Sequence, residues 1–187
     1  MLLLGNGMIS TLLGIRSKLE GFSTEITGVI MTGFSIGLLL GALYAVRVVA
    51  AVGHIRAFAA FASIMSVAVL AHVLFIDPLS WFVLRVIAGF CMAGMVMVVE
   101  SWVNERATNK NRGQILSLYM MSNYLGAGIG QFLLLAGDPA QFQLFILASM
   151  VYSFALVPIL LTRASAPQPS SRQRMKFKAL FAISPVG

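Results

Sequence analysis

The chain has 187 residues, 59% of them hydrophobic and only 10% charged, and a formal net charge of +7. Soluble domains average about 25% charged residues, so a packed soluble core is excluded and a chain that crosses a bilayer several times is indicated. The single cysteine, Cys91, excludes an intramolecular disulfide and a cysteine metal cluster.

In chain order, residues 1–15 are apolar apart from Asn6, Ser10 and Thr11, and stop at Arg16. At about 1.5 Å per residue this stretch reaches roughly 22 Å, short of the roughly 30 Å hydrocarbon core. It reads as a first helix that lacks its N-terminal turns. No basic stretch precedes it, which argues against a signal peptide. Asn6 then falls mid-helix, placed to bond a neighbouring helix or to face a solute path. Residues 16–25 read as an outside loop, and 26–46 as a second span. Gly33, Gly37 and Gly41 recur every four residues on one face of that span and allow a second backbone to approach closely. The same stretch spells G-F-S-I-G around Ser35, a formal match to a hydrolase nucleophile elbow. That elbow needs a strand-turn-helix context and triad partners, whereas here it lies in a continuous apolar run.

Residues 47–56 form a short inside loop, 57–76 a third span, and Asp77-Pro78 an outside turn whose Asp caps the next helix. A fourth span covers 79–99, a charged inside loop 100–112, and a fifth span 113–135 with Ser122, Gly126 and Gly130 at four-residue spacing. Asp138-Pro139 repeats the outside turn before a sixth span at 141–162, whose inner end Pro158 bends. Residues 1–162 are therefore expected to form a six-helix transmembrane bundle. Residues 163–187 follow as a cytoplasmic linker, rich in Pro and Ser, and the start of a seventh helix.

Charge placement supports this division. Ten of the 13 basic residues fall at the ends of alternate hydrophobic segments: Arg47, Arg56, Arg106, Lys110, Arg112, Arg163, Arg172, Arg174, Lys176 and Lys178. Only Arg16 and Lys18 belong to the other side. This positive-inside asymmetry puts both chain ends in the cytoplasm. Nucleic-acid binding would instead gather the basic residues on one face among stacking aromatics, and is not expected.

The remaining basic residue, Arg85, lies about 10 Å inside the fourth span. An ion at that depth is a functional-site candidate by default. It would bind an anionic substrate group or answer the protonation of an acidic partner; the structural alternative is a guanidinium that snorkels or bonds backbone carbonyls. Tyr124 and Gln131, seven residues apart and hence on one helical face, join Asn123 as polar groups on the fifth span. Their alternative is helix–helix hydrogen bonding. Glu100, near Arg106 and Arg112, offers a gating ion pair or a solvated loop charge. His72, near the outer end of the third span, reads as an interfacial histidine.

These residues resemble a known family. The fourth-span pattern Arg85-x-x-x-Gly89, the turn Asn111-Arg112-Gly113, the run Asn123-Tyr124-Leu125-Gly126 with Gly130-Gln131, and the string ESWVNERAT at 100–108 resemble the N-terminal half of a major facilitator superfamily transporter, of a bacterial drug- or sugar-porter type. The loop after the second span departs from the superfamily signature. With Gly53 aligned, Val46, Ala50 and Ala51 stand where its glycine, aspartate and arginine belong, and only Gly53, His54 and Arg56 keep its character. The fifth span also lacks the antiporter proline. The resemblance implies an all-α membrane fold of six transmembrane helices arranged as two inverted three-helix repeats, one half of the complete fold.

The expected function is secondary active transport of a small solute by alternating access, in the bacterial inner membrane. Candidate substrate-binding residues are Arg85, Asn6, Asn123, Tyr124 and Gln131. Candidate gating residues at the inner loops are Arg47, Gly53, His54, Arg56, Glu100, Arg106 and Arg112. Helix packing falls to Gly33, Gly37, Gly41, Gly89, Gly126 and Gly130. The partners implied are the lipid bilayer, a small-molecule substrate, and a C-terminal six-helix half or a second copy. The absence of a Walker A loop, of His-x-x-x-His spacing and of paired carboxylates leaves no expected ATP engine, metal or cofactor. A half-size parallel homodimer and, remotely, an intramembrane serine hydrolase at Ser35 are the rival readings.

Overall fold

The computed structural model describes residues 1–161, and the linker and seventh-helix onset expected at 163–187 lie outside the described residues. Among the described residues every regular element is helical. The helices are α1 (Leu2–Leu19), α2 (Thr24–Val52), α3 (His54–Leu74), α4 (Pro78–Arg106), α5 (Arg112–Phe132), α6 (Gln143–Phe154) and α7 (Leu156–Leu161), with a 3-10 turn at Leu133–Ala136 after α5. Taking α6 and α7 as one interrupted span, four segments are long and apolar enough to cross a membrane: Thr24–Val52, His54–Leu74, Pro78–Arg106 and Gln143–Leu161. α1 and α5 fall short of that standard because they carry the polar side chains, among them Arg16, Lys18 and Gln131. The expected count of six apolar spans is thus met by four.

Several expected boundaries shift, each for a local reason. α1 continues past Arg16, whose charge, with that of Lys18, sits in the last turn, where the negative end of the helix dipole favours cations. The inside loop expected at 47–56 contracts to one residue. Val48–Val52 continue α2 as good apolar helix, and Gly53 alone turns the chain with φ 86°, a conformation that favours glycine. The loop expected at 100–112 shrinks likewise, since α4 runs to Arg106 and the chain re-enters helix at Arg112. Asn111 organises that turn by accepting hydrogen bonds from the Thr108 backbone N–H at 2.7 Å and its hydroxyl at 2.8 Å. The sixth span breaks at Ala155, between α6 and α7. Pro158 cannot donate to the carbonyl of Phe154 and its ring crowds that carbonyl, which accounts for a break three residues upstream.

Asp77 caps α4 as its sequence suggests, while the cap at the head of α2 falls on Ser23, in the stretch expected to be a loop. Ser23 Oγ accepts from the Ile26 N–H at 3.3 Å at the head of α2. Asp77 accepts from the Ser80 N–H at 2.9 Å at the head of α4, with Pro78 at the first helical position. Asp138 instead accepts from the Ala140 N–H at 2.9 Å, which turns the chain ahead of α6.

The helices pack as a row of neighbours in which α5 lies on α1, α1 on α6, α6 on α3, α3 on α4 and α4 on α2. In lipid no hydrophobic force presses helices together, so close backbone approach and interhelical hydrogen bonds must do so. The α2–α4 contact is built on glycine. A Cβ on Gly33 would lie 2.8 Å from the Phe82 carbonyl oxygen, and one on Gly37 or Gly89 would run into the carbonyl of Val86 or Phe34. Gly41 meets Ala93 Cβ at 2.6 Å by the same measure. Across the bundle, Gly130 brings α5 against the Leu4 carbonyl of α1, while Gly126 is looser, with Leu4 N at 3.6 Å. α3 and α6 are joined by hydroxyls: Ser66 Oγ lies 2.5 Å from Ser149 Oγ and 3.1 Å from Ser153 Oγ.

His72 stands in the last turn of α3, packed inside the bundle. It is 1% exposed, and its Nδ1–H donates to the Ala68 carbonyl at 2.7 Å. Trp81 of α4 donates its indole N–H to the His72 carbonyl at 3.1 Å, and Phe22 from the α1–α2 turn packs edge-on to Trp81. This aromatic cap closes the bundle at the end where α3 gives way to α4.

Candidate functional site

α1 is the hub that gathers the polar side chains. Gly7 and Thr11, four residues apart and so on one face, point to α5. There Gln131 Nε2 donates to the Gly7 carbonyl at 3.0 Å, and Thr11 donates its hydroxyl to Gln131 Oε1 at 2.9 Å. One amide is thereby held at both ends, and α5 is registered on α1. Ser10, one position round the helix, faces α4 instead. Arg85 Nη2 donates to Ser10 Oγ at 3.4 Å, and the guanidinium carbon stands 4.4 Å from the centre of the Phe34 ring of α2. Arg85 is only 3% exposed. Its charge is turned into the interior among α1, α2 and α4. Tyr152 of α6 is fully buried, near enough for its phenol to interact with the guanidinium, and its ring fills the space beside Gly5.

The other substrate-binding candidates sit differently. Tyr124 is 76% exposed and belongs to a stripe on α5 with Met121, Leu125, Gly128, Ile129 and Phe132. Gln131 is exposed at the same helix face although its amide is occupied by α1. Asn6 is half-buried, one residue before Gly7. Asn123 is half-buried and bonds Tyr119, whose hydroxyl also donates to Glu100 Oε1 at 3.5 Å. Gln131 and Tyr124 thus share a face of α5, where Gln131 is held by Gly7 and Thr11 of α1; Arg85 meets α1 separately, through Ser10, and Asn123 bonds Tyr119.

The inner-loop candidates gather at helix ends. Gly53 is the α2–α3 joint, and the adjacent His54 is buried, close enough to Glu105 of α4 to feel its charge. Arg47 stacks over Tyr44 at 5.0 Å. Arg56, Arg106 and Arg112 are exposed. Glu100 reaches Tyr119, and neither Arg106 nor Arg112; among the described residues the ion pair is Arg16–Glu20, at 2.6 Å. Ser35 lies in the middle of α2 with no turn beside it, so the strand-turn-helix context of a nucleophile elbow is absent there.

Sequence reasoning passed over Ser10, Thr11, Phe34, Tyr152 and Arg16 as partners. Arg16 in particular is no loop residue: it pairs with Glu20 and donates Nη1 to the carbonyls of Pro139 and Ala140, which ties the end of α1 to the turn before α6. The i, i+4 spacing of Gly7 and Thr11 was the available signal for the α1–α5 clasp; nothing in the sequence marked Tyr152.

The profile of the Major Facilitator Superfamily matches residues 1–186. An uncharacterized MFS-type transporter of Yersinia pestis (strain Pestoides F) is 32% identical over 127 residues, which is 68% of this chain and 33% of the relative. The uncharacterized MFS-type transporter YcaD of Escherichia coli O139:H28 is 26% identical over 183 residues, 98% of this chain and 48% of the relative. The chain therefore spans about half, or less, of the curated relatives it matches. No solved structure matches it. With its apolar helices and a family match along nearly its whole length, this chain is an integral membrane protein that belongs to the Major Facilitator Superfamily.

Proposed function

We propose that the chain forms one six-helix half of a secondary active transporter that moves a small solute by alternating access. The observation that carries this reading is the family match over residues 1–186. The pattern of helix neighbours supports it independently. Exchanging α1 with α4, α2 with α5 and α3 with α6 turns the α1–α5 contact into α4–α2 and α1–α6 into α4–α3, and returns α3–α6 to itself. Two inverted three-helix repeats have that symmetry. α1 and α5, the two helices too polar to count as lipid-facing spans, border the solute path in this reading.

Within it, Asn6, Tyr124, Asn123 and Gln131 face the path or hold its wall, and Arg85 is a positioning residue whose charge joins α1, α2 and α4 into one rocking unit. Gly53, His54 and the basic set Arg47, Arg56, Arg106 and Arg112, with Glu100, lie at the cytoplasmic ends, where closure of the inner side takes place. The second half is supplied by a C-terminal bundle, and the membrane is the bacterial inner membrane.

Cysteine accessibility tests the reading. Native Cys91 is 1% exposed and gives low background. A cysteine in place of Tyr124 or Thr11 in the complete protein should react with a membrane-impermeant thiol reagent from one side of the membrane in one state and from the other side in the second. Cysteines at both positions that stay unreactive from both aqueous sides would place this face in lipid and sink the proposal.

A further inference from the structure

Arg85 carries a charge that nothing in the bundle neutralises. Of the six acidic residues of the chain, Glu20, Glu25, Asp77 and Asp138 stand at helix ends or in turns and Glu100 and Glu105 in the last two turns of α4, and none is paired with Arg85. Phe34 covers one face of the guanidinium, and Ser10 accepts weakly from Nη2, but the Nε–H has no hydrogen-bond partner although it is buried. The hydroxyl of Tyr152 is a second buried donor without a partner, close enough to interact with the same charge. His72 does not belong to this donor set: its Nδ1–H is spent on the Ala68 carbonyl, so its free Nε2 is an acceptor. A buried ion is tolerated only when paired and hydrogen-bonded, and unspent donors in the interior share that demand.

We propose that the interior between α1, α2 and α4 binds one small monovalent inorganic anion, of the size of chloride, against the edge of Arg85. The Arg85 Nε–H is the first donor, and the Ser10 hydroxyl, whose Oγ accepts from Nη2, turns its O–H to the anion as the second. The anion neutralises the ion without a carboxylate and ties α1 to α4, alongside the Arg85–Ser10 bond. Small size and single charge are required because the site is walled by packed helices and dehydration of a larger or doubly charged ion is costly. This inference does not depend on what, if anything, the protein transports.

The test is thermal unfolding of the complete protein in lipid nanodiscs, with chloride replacing gluconate at constant ionic strength. A saturable rise in Tm of roughly 5 °C is expected for ligand far above its Kd. Bromide should act like chloride and give an anomalous-scattering peak beside Arg85. Arg85→Met should abolish the response, and Ser10→Ala, which leaves the charge in place, should raise the half-saturating concentration severalfold. If Arg85→Met does not fold, the Ser10→Ala shift and the bromide position decide the matter. A wild-type Tm indifferent to chloride overturns the proposal, as does a response kept in full by both variants, or one given by acetate and not by halides.

Discussion

Gly89 of α4 lies against the Phe34 carbonyl of α2 with no room between the two backbones for a Cβ. The α2–α4 pair is the most extensive contact in the bundle, and it depends on this approach and on Gly37, which meets α4 in the same manner. Gly89→Val or Gly37→Val should therefore destabilise at or above the upper end of the ~1–3 kcal/mol typical of overpacking, read as loss of folded yield in detergent. Gly128→Ala is the matched control. Its Cβ meets nothing within 4 Å, and helix propensity gains about 0.5–1 kcal/mol, so its yield should hold or rise. Equal losses in all three variants would show that the glycines do not act through close packing.

The clasp of Gln131 on Gly7 and Thr11 makes a second prediction. Interhelical hydrogen bonds in membranes average about 0.6 kcal/mol and reach about 1.7 kcal/mol. A double-mutant cycle of Gln131→Leu and Thr11→Val should return a coupling in that range, measured by reversible unfolding in mixed micelles. A cycle that sums to zero would mean the two side chains do not meet.

Arg85 should be required for transport and dispensable for insertion. Arg85→Ala in the complete protein is expected to reach the membrane at normal levels and to lose solute flux. Arg85→Lys should recover part of it, because lysine keeps the charge and loses the planar fork that lies over Phe34 and reaches Ser10. Full flux in Arg85→Ala would remove Arg85 from the working parts.

Asp77 gives a pH dependence. The Ser80 side chain and then its backbone N–H hold the Asp77 carboxyl below its ordinary value of 3.8, so the charged form is the one the folded protein prefers. A lowered carboxylate contributes its full stability above 3.8 and loses it as pH falls through the lower folded-state value. Asp77→Asn keeps a capping side chain and should flatten the acid limb of a Tm-against-pH curve. An unchanged acid limb would assign it to other carboxylates.

The sequence by itself determined that this chain lives in a membrane and that Asp77 caps its fourth helix, because burial in lipid and backbone capping are local demands written in composition and spacing; it expected six apolar spans where the structure has four among the described residues. It also marked Arg85 as unusual and the glycine ladder of α2 as a packing face. It misjudged the turns at 47–56 and 100–112, because charged residues were taken as the end of a helix. In the structure Arg47 and Arg106 are still helical, and the chain turns only at Gly53 and around Asn111. Only the tertiary structure decided that Gln131 spends its amide on α1, that Arg16 holds the turn at Pro139 and Ala140, and that Arg85 looks inward to Ser10 and Phe34. Each of those partners lies far away in sequence and is chosen by which helix stands next to which. Helical periodicity says which side chains share a face, but the neighbour that face meets is set by packing of the whole bundle.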